Sequence, residues 1–247
     1  MEHVLGKRIL VTRAADDNGP WVERLISLGA DPVPLPCISI ERLQLKEGWR
    51  ALLDEVSWVA FTSHRSVTLF ADLLGDGHLA SQQIAAVGPS TAAACKDRFG
   101  RCDLLPPQGT GAALAESLKP KVAPGGIVLL PGAAEPRPEL AMELESAGIK
   151  SASLPLYATH PTRTRGDRVD LFRQRVDAAL FASPSAVTGC FASAEVPLGL
   201  PAGCIGPTTA AAARSAGLSN VYTSKTRDLD GLLTALHDPL ASNPQTS

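Results

Sequence analysis

The 247-residue sequence lacks the features that mark disulfide-rich and metal-binding proteins. Its five cysteines are odd in number and form no Cys-x-x-Cys pair, so neither a disulfide framework nor a zinc site is predicted. Its five histidines show no ligand spacing, which argues against a histidine metal centre. We therefore expect no metal, and we interpret most of the cysteines as small core residues.

Signals for membranes and nucleic acids are also missing. No apolar run approaches the roughly 20 residues that span a bilayer, and the opening Met-Glu-His-Val-Leu-Gly-Lys lacks the apolar stretch of a signal peptide. A formal net charge of −2 provides no overall attraction for nucleic acid or an acidic membrane. We expect a cytoplasmic protein that binds neither, and any anionic ligand must be held locally.

The common catalytic and nucleotide-binding motifs are absent as well. There is no Gly-x-Gly-x-x-Gly after the first predicted strand, no Walker lysine turn and no Gly-x-Ser-x-Gly elbow. Dinucleotide, nucleoside triphosphate and acyl-enzyme chemistry therefore lose support. No acid–base pair stands out, because the acidic residues lie mainly on predicted helix faces. A catalyst of this kind would act by holding its substrate in shape.

What the sequence does contain is one stretch in two copies, at 86–94 and 204–212. The copies read Ala-Val-Gly-Pro-Ser-Thr-Ala-Ala-Ala and Cys-Ile-Gly-Pro-Thr-Thr-Ala-Ala-Ala. Each predicts the end of a buried strand, a turn, and an alanine-rich helix whose first position is the proline. Gly88 and Gly206 suit a tight turn with room for a ligand beside the backbone.

The residues after each proline indicate an anion site. The backbone N–H groups of a first helical turn point out of the helix end together with its positive dipole. In the two copies these groups belong to Ser90, Thr91, Thr208 and Thr209. The alternative is a plain strand-to-helix connection with no ligand. Because the turn occurs twice, we favour a ligand with several negative groups.

Other landmarks also recur, at separations of 118 to 120 residues. The matched pairs are Gly29 with Gly148, Leu35 with Leu154, Ser63 with Ser183, and Gly88 with Gly206. A constant order and spacing indicate an internal duplication, and therefore two similar α/β domains with parallel sheets.

The domains need not coincide with the repeats. The proline-rich segment at 31–43 is interpreted as an extended connector between domains, and 150–161 as its echo. Two such crossings would form a flexible hinge with a ligand cleft between the domains. The predicted division is a discontinuous domain of 1–36 plus 162–247, a continuous domain of 42–156, and linkers at 37–41 and 157–161.

Individual side chains near the predicted strand ends are further candidates. Thr12 and Arg13 follow the first strand, where open α/β sheets bind ligands, although the arginine could simply be solvated. Ser63 and Ser183 are predicted helix N-caps, and a ligand-facing hydroxyl or amide is the alternative for Ser63. Arg65 lies in a first helical turn, where a bound carboxylate or plain surface exposure would account for it.

A tyrosine also lies in the second proline-containing segment. Tyr157 follows Leu-Pro-Leu, where its phenol could donate or accept a hydrogen bond at the hinge. The alternative is a strand tyrosine half-buried against a neighbour.

Taken together, these motifs resemble the uroporphyrinogen-III synthase family. The resemblance implies two flavodoxin-like parallel-sheet domains joined by a two-stranded connector. The motifs that carry it run in the family's order and are Val-Thr-Arg at 11–13, Phe-Thr-Ser-His-Arg-Ser-Val at 61–67, Val-Gly-Pro-Ser-Thr-Ala at 87–92, Pro-Leu-Tyr at 155–157, Phe-Ala-Ser-Pro-Ser-Ala-Val at 181–187 and Ile-Gly-Pro-Thr-Thr-Ala at 205–210.

The resemblance also implies a reaction in tetrapyrrole (heme) biosynthesis. Family members cyclise hydroxymethylbilane with loss of water and inversion of the last pyrrole ring, through a spiro intermediate, without a metal or organic cofactor. Tyr157 matches the tyrosine that is suspected of assisting departure of the hydroxyl. The acetate and propionate arms of the substrate would bind the residues that this resemblance and the strand ends indicate: Thr12, Arg13, Ser63, Arg65, Gly88, Ser90, Thr91, Arg137, Ser183, Gly206, Thr208 and Thr209.

The sequence departs from the family pattern at two of these places. Asn is frequent in the family where Arg65 stands, and Pro131-Gly132 replaces a more usual Arg-Gly, for which Arg137 could substitute. We expect a monomeric enzyme. A non-enzymatic protein that binds or senses a small anion with two α/β domains is the alternative.

Overall fold

A computed structural model describes residues 1–75, 77, 79, 81–163 and 166–241. The chain divides into two compact units. Unit 1 comprises Met1–Ile40 and Thr159–Ser247, and unit 2 comprises Glu41–Ala158. The domain boundaries predicted at 36, 42, 156 and 162 stay a prediction. None of the helices within the described part of the chain is long and apolar enough to cross a bilayer.

The strands, in chain order, are β1 (Arg8–Val11), β2 (Asp31–Pro34), β3 (Ile38–Arg42), β4 (Trp58–Phe61), β5 (Gln83–Ala86), β6 (Ile127–Ala133), β7 (Lys150–Pro161), β8 (Val169–Asp170), β9 (Ala178–Phe181), β10 (Ala194–Glu195), β11 (Ala202–Cys204) and β12 (Val221–Thr223).

The α-helices are α1 (Gly19–Ser27), α2 (Ala51–Glu55), α3 (His64–Leu74), α4 (Pro89–Phe99), α5 (Gly111–Leu118), α6 (Glu139–Ser146), α7 (Pro184–Ser193), α8 (Pro207–Ser215), α9 (Leu229–Ala235) and α10 (His237–Ala241). Short 3-10 helices occupy Glu2–Val4 and Ala15–Asp17.

Unit 1 is built on a five-stranded parallel sheet in the order β2-β1-β9-β11-β12. When the five strands are numbered by their order in the sequence, they lie in the sheet in the order 2-1-3-4-5, which is the flavodoxin arrangement. Successive residues of a strand face opposite sides, so Leu10 packs into one core cluster with α7 and α8, and Ile9 packs into another with α1 and α9. The sheet is therefore covered by helices on both faces, as the sequence predicted for a parallel sheet.

Unit 2 has a sheet in the order β3-β7-β6-β4-β5, extended beyond β5 by a parallel bridge between Ala85 and Leu104. The strands from β7 to β5 are parallel. If β6 is numbered 1, β7 is numbered 2, and β4, β5 and the Leu104 bridge are numbered 3 to 5, this sheet also has the order 2-1-3-4-5. The two sheets thus share one strand order from different starting points, and the internal duplication itself stays a prediction.

Both faces of the unit 2 sheet are also packed. Helices α5 and α6 cover one face, where Leu114 and Leu144 are fully buried. On the other face the ring of Phe61 lies 5.7 Å from those of Phe70 and Phe99, which belong to α3 and α4. These ring contacts pack α3 and α4 against this face of the sheet.

The interpretation of 31–43 as a connector is wrong for its first part. Residues Asp31–Pro34 form β2, the edge strand of the unit 1 sheet. The N–H groups of Asp31 and Leu35 donate to Lys7 and Val11 at 2.8 and 2.9 Å. The prolines occupy the intervening positions, whose missing N–H groups would face the open edge, and an edge strand accepts proline there. The crossing to unit 2 therefore begins later, within β3.

The segment that follows β2 is held against α7 by a very close backbone contact. The Cys37 carbonyl accepts a hydrogen bond from the Thr162 N–H at 2.9 Å. A Cβ atom added at Gly189 would lie 1.7 Å from that carbonyl oxygen. Glycine is thus required at this position of α7 by packing.

We expect Gly189→Ala to destabilise the protein by about 3 kcal/mol, because the added methyl group meets backbone that cannot move freely. Alanine is a better helix former than glycine, so a loss of stability would come from the close contact and not from helix propensity. Urea denaturation measures the change. Gly199→Ala is the control, since nothing lies within 4 Å of its added Cβ, and an equal loss in both variants would contradict the packing argument.

Candidate functional site

The two duplicated turns form the beginnings of α4 and α8, with proline at the first helical position as predicted. Gly88 and Gly206 are the N-caps, and no side chain among the described residues caps either helix. Two residues separate each strand from its helix, and neither glycine adopts a left-handed conformation there, because their φ angles of −158° and −179° are extended. An added Cβ at Gly206 would meet nothing within 4 Å, and at Gly88 only the Gly109 Cα at 3.9 Å. Space beside both backbones is therefore open.

The hydroxyl groups at these turns differ in exposure. Ser90 and Thr208 are exposed, whereas Thr91 and Thr209 are buried. The Thr209 Oγ1 atom has no hydrogen-bond partner among the described residues. A buried hydroxyl without a partner is costly, so this atom is one that a bound ligand could satisfy.

The two predicted serine caps are confirmed. Ser63 Oγ accepts from the Ser66 N–H at 3.1 Å at the start of α3, and Ser183 Oγ accepts from the Ala186 N–H at 3.2 Å at the start of α7. Each serine satisfies one helix-terminal amide itself. The glycine-capped turns consequently leave more backbone donors for an anion than the serine-capped turns do.

Tyr157 lies on β7 and is buried, with its phenol at the serine turn of α3. Its hydroxyl oxygen is 3.5 Å from Ser63 Oγ, and the Arg65 guanidinium lies 5.4 Å from the centre of its ring. The 3.5 Å distance is at the outer limit for a hydrogen bond, and such contacts often shorten when substrate binds. The sequence left open whether Tyr157 is a half-buried strand residue or a functional one. In the structure the residue is buried, and its hydroxyl group lies beside Ser63, a predicted site residue.

The structure adds a residue that the sequence analysis missed. Ser66 is fully buried on the packed face of α3, and its Oγ lies 2.8 Å from Ser63 Oγ. A sequence signal existed, because Ser66 precedes Val67 and lies four positions before Phe70, on the predicted apolar face of the helix. A serine buried on that face needs a hydrogen-bond partner.

The first-strand candidates are engaged within unit 1. The Thr12 hydroxyl is buried and donates to the Leu180 carbonyl at 2.6 Å. The Arg13 guanidinium donates to the Asp17 carbonyl at 2.9 Å and lies 4.7 Å from the centre of the Trp21 ring. Both side chains thus make contacts that stabilise the fold, and ligand binding by either stays a prediction.

The third predicted arginine follows β6 in unit 2. Arg137 is exposed in the segment between β6 and α6. Ser63, Arg65 and Tyr157 are therefore the predicted site residues that the described contacts bring together.

The cysteines are not candidates for nucleophilic chemistry. Cys37, Cys95, Cys190 and Cys204 are buried, which confirms most of them as core residues. Burial raises the pKa of Cys204 to about 12, and burial together with the neighbouring Cys102 raises that of Cys95 to about 12. These groups stay protonated thiols near neutral pH.

The family model of uroporphyrinogen-III synthase HemD matches residues 19–234. The chain belongs to this family. Among its relatives, the porphyrin biosynthesis protein HemD of Ruminiclostridium josui is 31% identical over 245 residues, which are 94% of this chain and 48% of that protein. The uroporphyrinogen-III synthase of Synechococcus elongatus is 28% identical over 186 residues, with 69% and 68% of the two chains covered. The chain thus spans about half the length of the first relative.

Solved structures of uroporphyrinogen-III synthases share the fold. A mutant enzyme from Thermus thermophilus matches with a TM-score of 0.60 at 23% identity, and covers 96% of this chain and 100% of its own. The Helicobacter pylori protein matches with a TM-score of 0.64 at 16% identity, over 92% of this chain and 97% of its own. These likenesses establish the two-domain α/β architecture expected for the uroporphyrinogen-III synthase family.

We expect Thr12→Val to lower the free energy of unfolding by about 1.5 kcal/mol, because it removes a buried donor to the Leu180 carbonyl while keeping the side-chain shape. Urea denaturation measures the loss. Thr234→Val removes an exposed hydroxyl that donates to the Asp230 carbonyl, and should change stability much less. Equal stability of the Thr12→Val variant and the parent protein would show that the bond contributes nothing.

Proposed function

We propose that this chain is a uroporphyrinogen-III synthase, which closes hydroxymethylbilane into uroporphyrinogen III with loss of water and inversion of the last pyrrole ring. The family match over residues 19–234 carries this proposal. The contacts around Tyr157 and the helix N-termini support the roles proposed for individual residues.

Carboxylate groups of the substrate are the proposed ligands of the glycine-capped turns. Acetate and propionate arms are anions, and the uncapped first turns of α4 and α8 present N–H groups with a positive dipole. Gly88 and Gly206 leave space for an oxygen to approach these amides. The hydroxyls of Ser90, Thr91, Thr208 and Thr209 are placed on the same turns, so they complete the proposed carboxylate contacts.

The remaining proposed contacts to the substrate come from arginine side chains and from two further hydroxyl groups. Arg65 places a cation beside the Tyr157 ring, where a carboxylate arm would be attracted. Ser183 and Thr12 belong to the strand ends of unit 1, and Arg13 and Arg137 are the proposed peripheral cations.

Tyr157 is the proposed proton donor for the leaving hydroxyl. The C–O bond of the terminal hydroxymethyl group breaks with its electron pair on oxygen, and the phenol proton completes the water molecule. The substituted α-carbon of the last ring bonds to the resulting cationic carbon and gives the spiro intermediate, and its original bond to the neighbouring methylene bridge then breaks. The inverted ring bonds to that bridge through its unsubstituted α-carbon, which releases a proton that restores the phenol. The overall change is loss of one water, so no oxidant, reductant or metal is required by the balance.

Freshly prepared hydroxymethylbilane tests the proposal. We expect the protein to yield the type III isomer, which is separated from type I after oxidation of the products to porphyrins. Type I alone is the spontaneous product, and that result would favour an anion-binding or sensing protein instead.

We expect Tyr157→Phe to lower kcat about 100-fold with little change in KM, because the ring and its packing remain while the proton donor is lost. Initial-rate kinetics of type III formation measure both constants. Tyr222→Phe is the matched control, since it removes the other phenol of the chain and should leave both constants unchanged. Unchanged turnover in Tyr157→Phe would remove the phenol from the reaction.

A second variant tests the turn of α8. We expect Gly206→Ala to raise KM about tenfold, because the methyl group fills the space through which a carboxylate would approach the amides. The variant should fold with a loss of stability of at most about 1 kcal/mol from the poorer N-cap, since the backbone is extended and the added Cβ meets nothing within 4 Å. Gly199→Ala serves as the control for substitution at an open glycine, and an unchanged KM in Gly206→Ala would contradict carboxylate binding there.

A further inference from the structure

The inference concerns Ser66, whose hydroxyl is buried without any contact to solvent. Among the described residues, the hydrogen-bond partner of this hydroxyl is Ser63, at 2.8 Å between the two Oγ atoms. The backbone of β6 passes nearby at Gly132, where an added Cβ would lie 3.8 Å from the Ser66 hydroxyl oxygen. Ser66 therefore depends on Ser63 to satisfy its proton.

Ser63 Oγ has three neighbours and limited capacity. A serine hydroxyl has one proton to donate and two lone pairs that accept. One lone pair accepts the Ser66 N–H at 3.1 Å. The proton and the second lone pair must then be divided between the Ser66 hydroxyl at 2.8 Å and the Tyr157 phenol at 3.5 Å.

The two possible divisions leave different hydroxyl protons without an acceptor among these three groups. If Ser66 O–H donates to Ser63, then Ser63 O–H donates to the Tyr157 oxygen, and the phenol proton stays available. If the phenol donates to Ser63, then Ser63 donates to Ser66, and the Ser66 proton is left without an acceptor in a fully buried place. An unsatisfied donor costs most where it is fully buried. Ser66 has no exposure, whereas Tyr157 keeps 8% of its surface exposed, so the first arrangement is favoured.

We infer that Ser66 is a positioning residue that makes Tyr157 a hydrogen-bond acceptor from Ser63 and thereby keeps its phenol proton free for the substrate. This inference rests on the proposed function, because it assigns a use to the phenol proton. By donating to Ser63, Ser66 occupies the second lone pair of Ser63, so the Ser63 proton is directed to the Tyr157 oxygen. Its effect reaches the substrate through Ser63 and Tyr157.

The second unit provides an internal comparison. Ala186 holds the position relative to Ser183 that Ser66 holds relative to Ser63, and the Ser183 cap forms normally with it. Alanine is therefore compatible with this helix start, and Ser66→Ala should fold. In that variant the second lone pair of Ser63 becomes free, so the phenol can donate to it and its proton is withdrawn from the substrate.

Infrared spectroscopy of the ligand-free protein tests the direction of the hydrogen bond directly. The chain has two tyrosines, so Tyr222→Phe with ¹³C-labelled tyrosine isolates the C–O stretching band of Tyr157. We expect the band of an accepting phenol with Ser66 present, and the band of a donating phenol in Ser66→Ala. A donating phenol in the parent protein, or a band that does not move on substitution, would overturn the inference whatever the enzyme activity.

Kinetics of type III formation provide the second readout. We expect Ser66→Ala to lower kcat about three- to tenfold with an unchanged KM, and Ser66→Thr to restore part of the loss because it returns the hydroxyl. Ser117→Ala is the control, as it removes a serine hydroxyl that donates to the Ala113 carbonyl in α5. Equal kcat values in Ser66→Ala and the parent protein would contradict the role, whereas failure of the parent to form type III product would contradict the proposed function.

Discussion

The parallel direction of the strands is the constraint on which the candidate site depends. In a parallel sheet all carboxyl ends lie at one edge, and the helices that follow begin there. In unit 2 this places the Ser63 turn after β4, the Gly88 turn after β5 and Gly132 near the end of β6 at the same edge. The same rule gathers Thr12, Ser183 and Gly206 in unit 1. Reversal of a single strand would remove its turn from the set.

The position of Tyr157 depends on a local irregularity in that regular frame. Gly132 pairs with Pro155 and the next residue, Ala133, pairs with Tyr157, so Leu156 is an extra residue in β7. Because side chains alternate along a strand, one additional residue changes the face that the following side chain occupies. The Ala134 N–H donates to the Tyr157 carbonyl at 2.7 Å and holds the strand after this shift. The bulge thus aims the phenol at α3.

The helix starts divide into two chemical types with different consequences. Ser63 and Ser183 each accept a hydrogen bond from one backbone N–H group in the first turn of the helix that they cap, and such turns are stable without a ligand. Gly88 and Gly206 leave those amides uncapped, so the helix ends gain from an anion. In a chain with a net charge of −2, fixed backbone dipoles at these turns, rather than an excess of cations, are therefore the source of local attraction for an anion.

The sequence by itself determined the helix starts, the parallel-sheet class and the candidate turns. Caps and first-position prolines act within three or four residues, so their chemistry is legible along the chain, as at Ser63, Pro89, Ser183 and Pro207. Only the tertiary structure decided that Asp31–Pro34 is an edge strand, because the tolerance for its prolines depends on which neighbour the strand pairs with. It also decided the contact of Tyr157 with Ser63 across 94 positions and that of Thr12 with Leu180 across 168. Such pairings arise from strand order and register, which no local pattern of residues specifies.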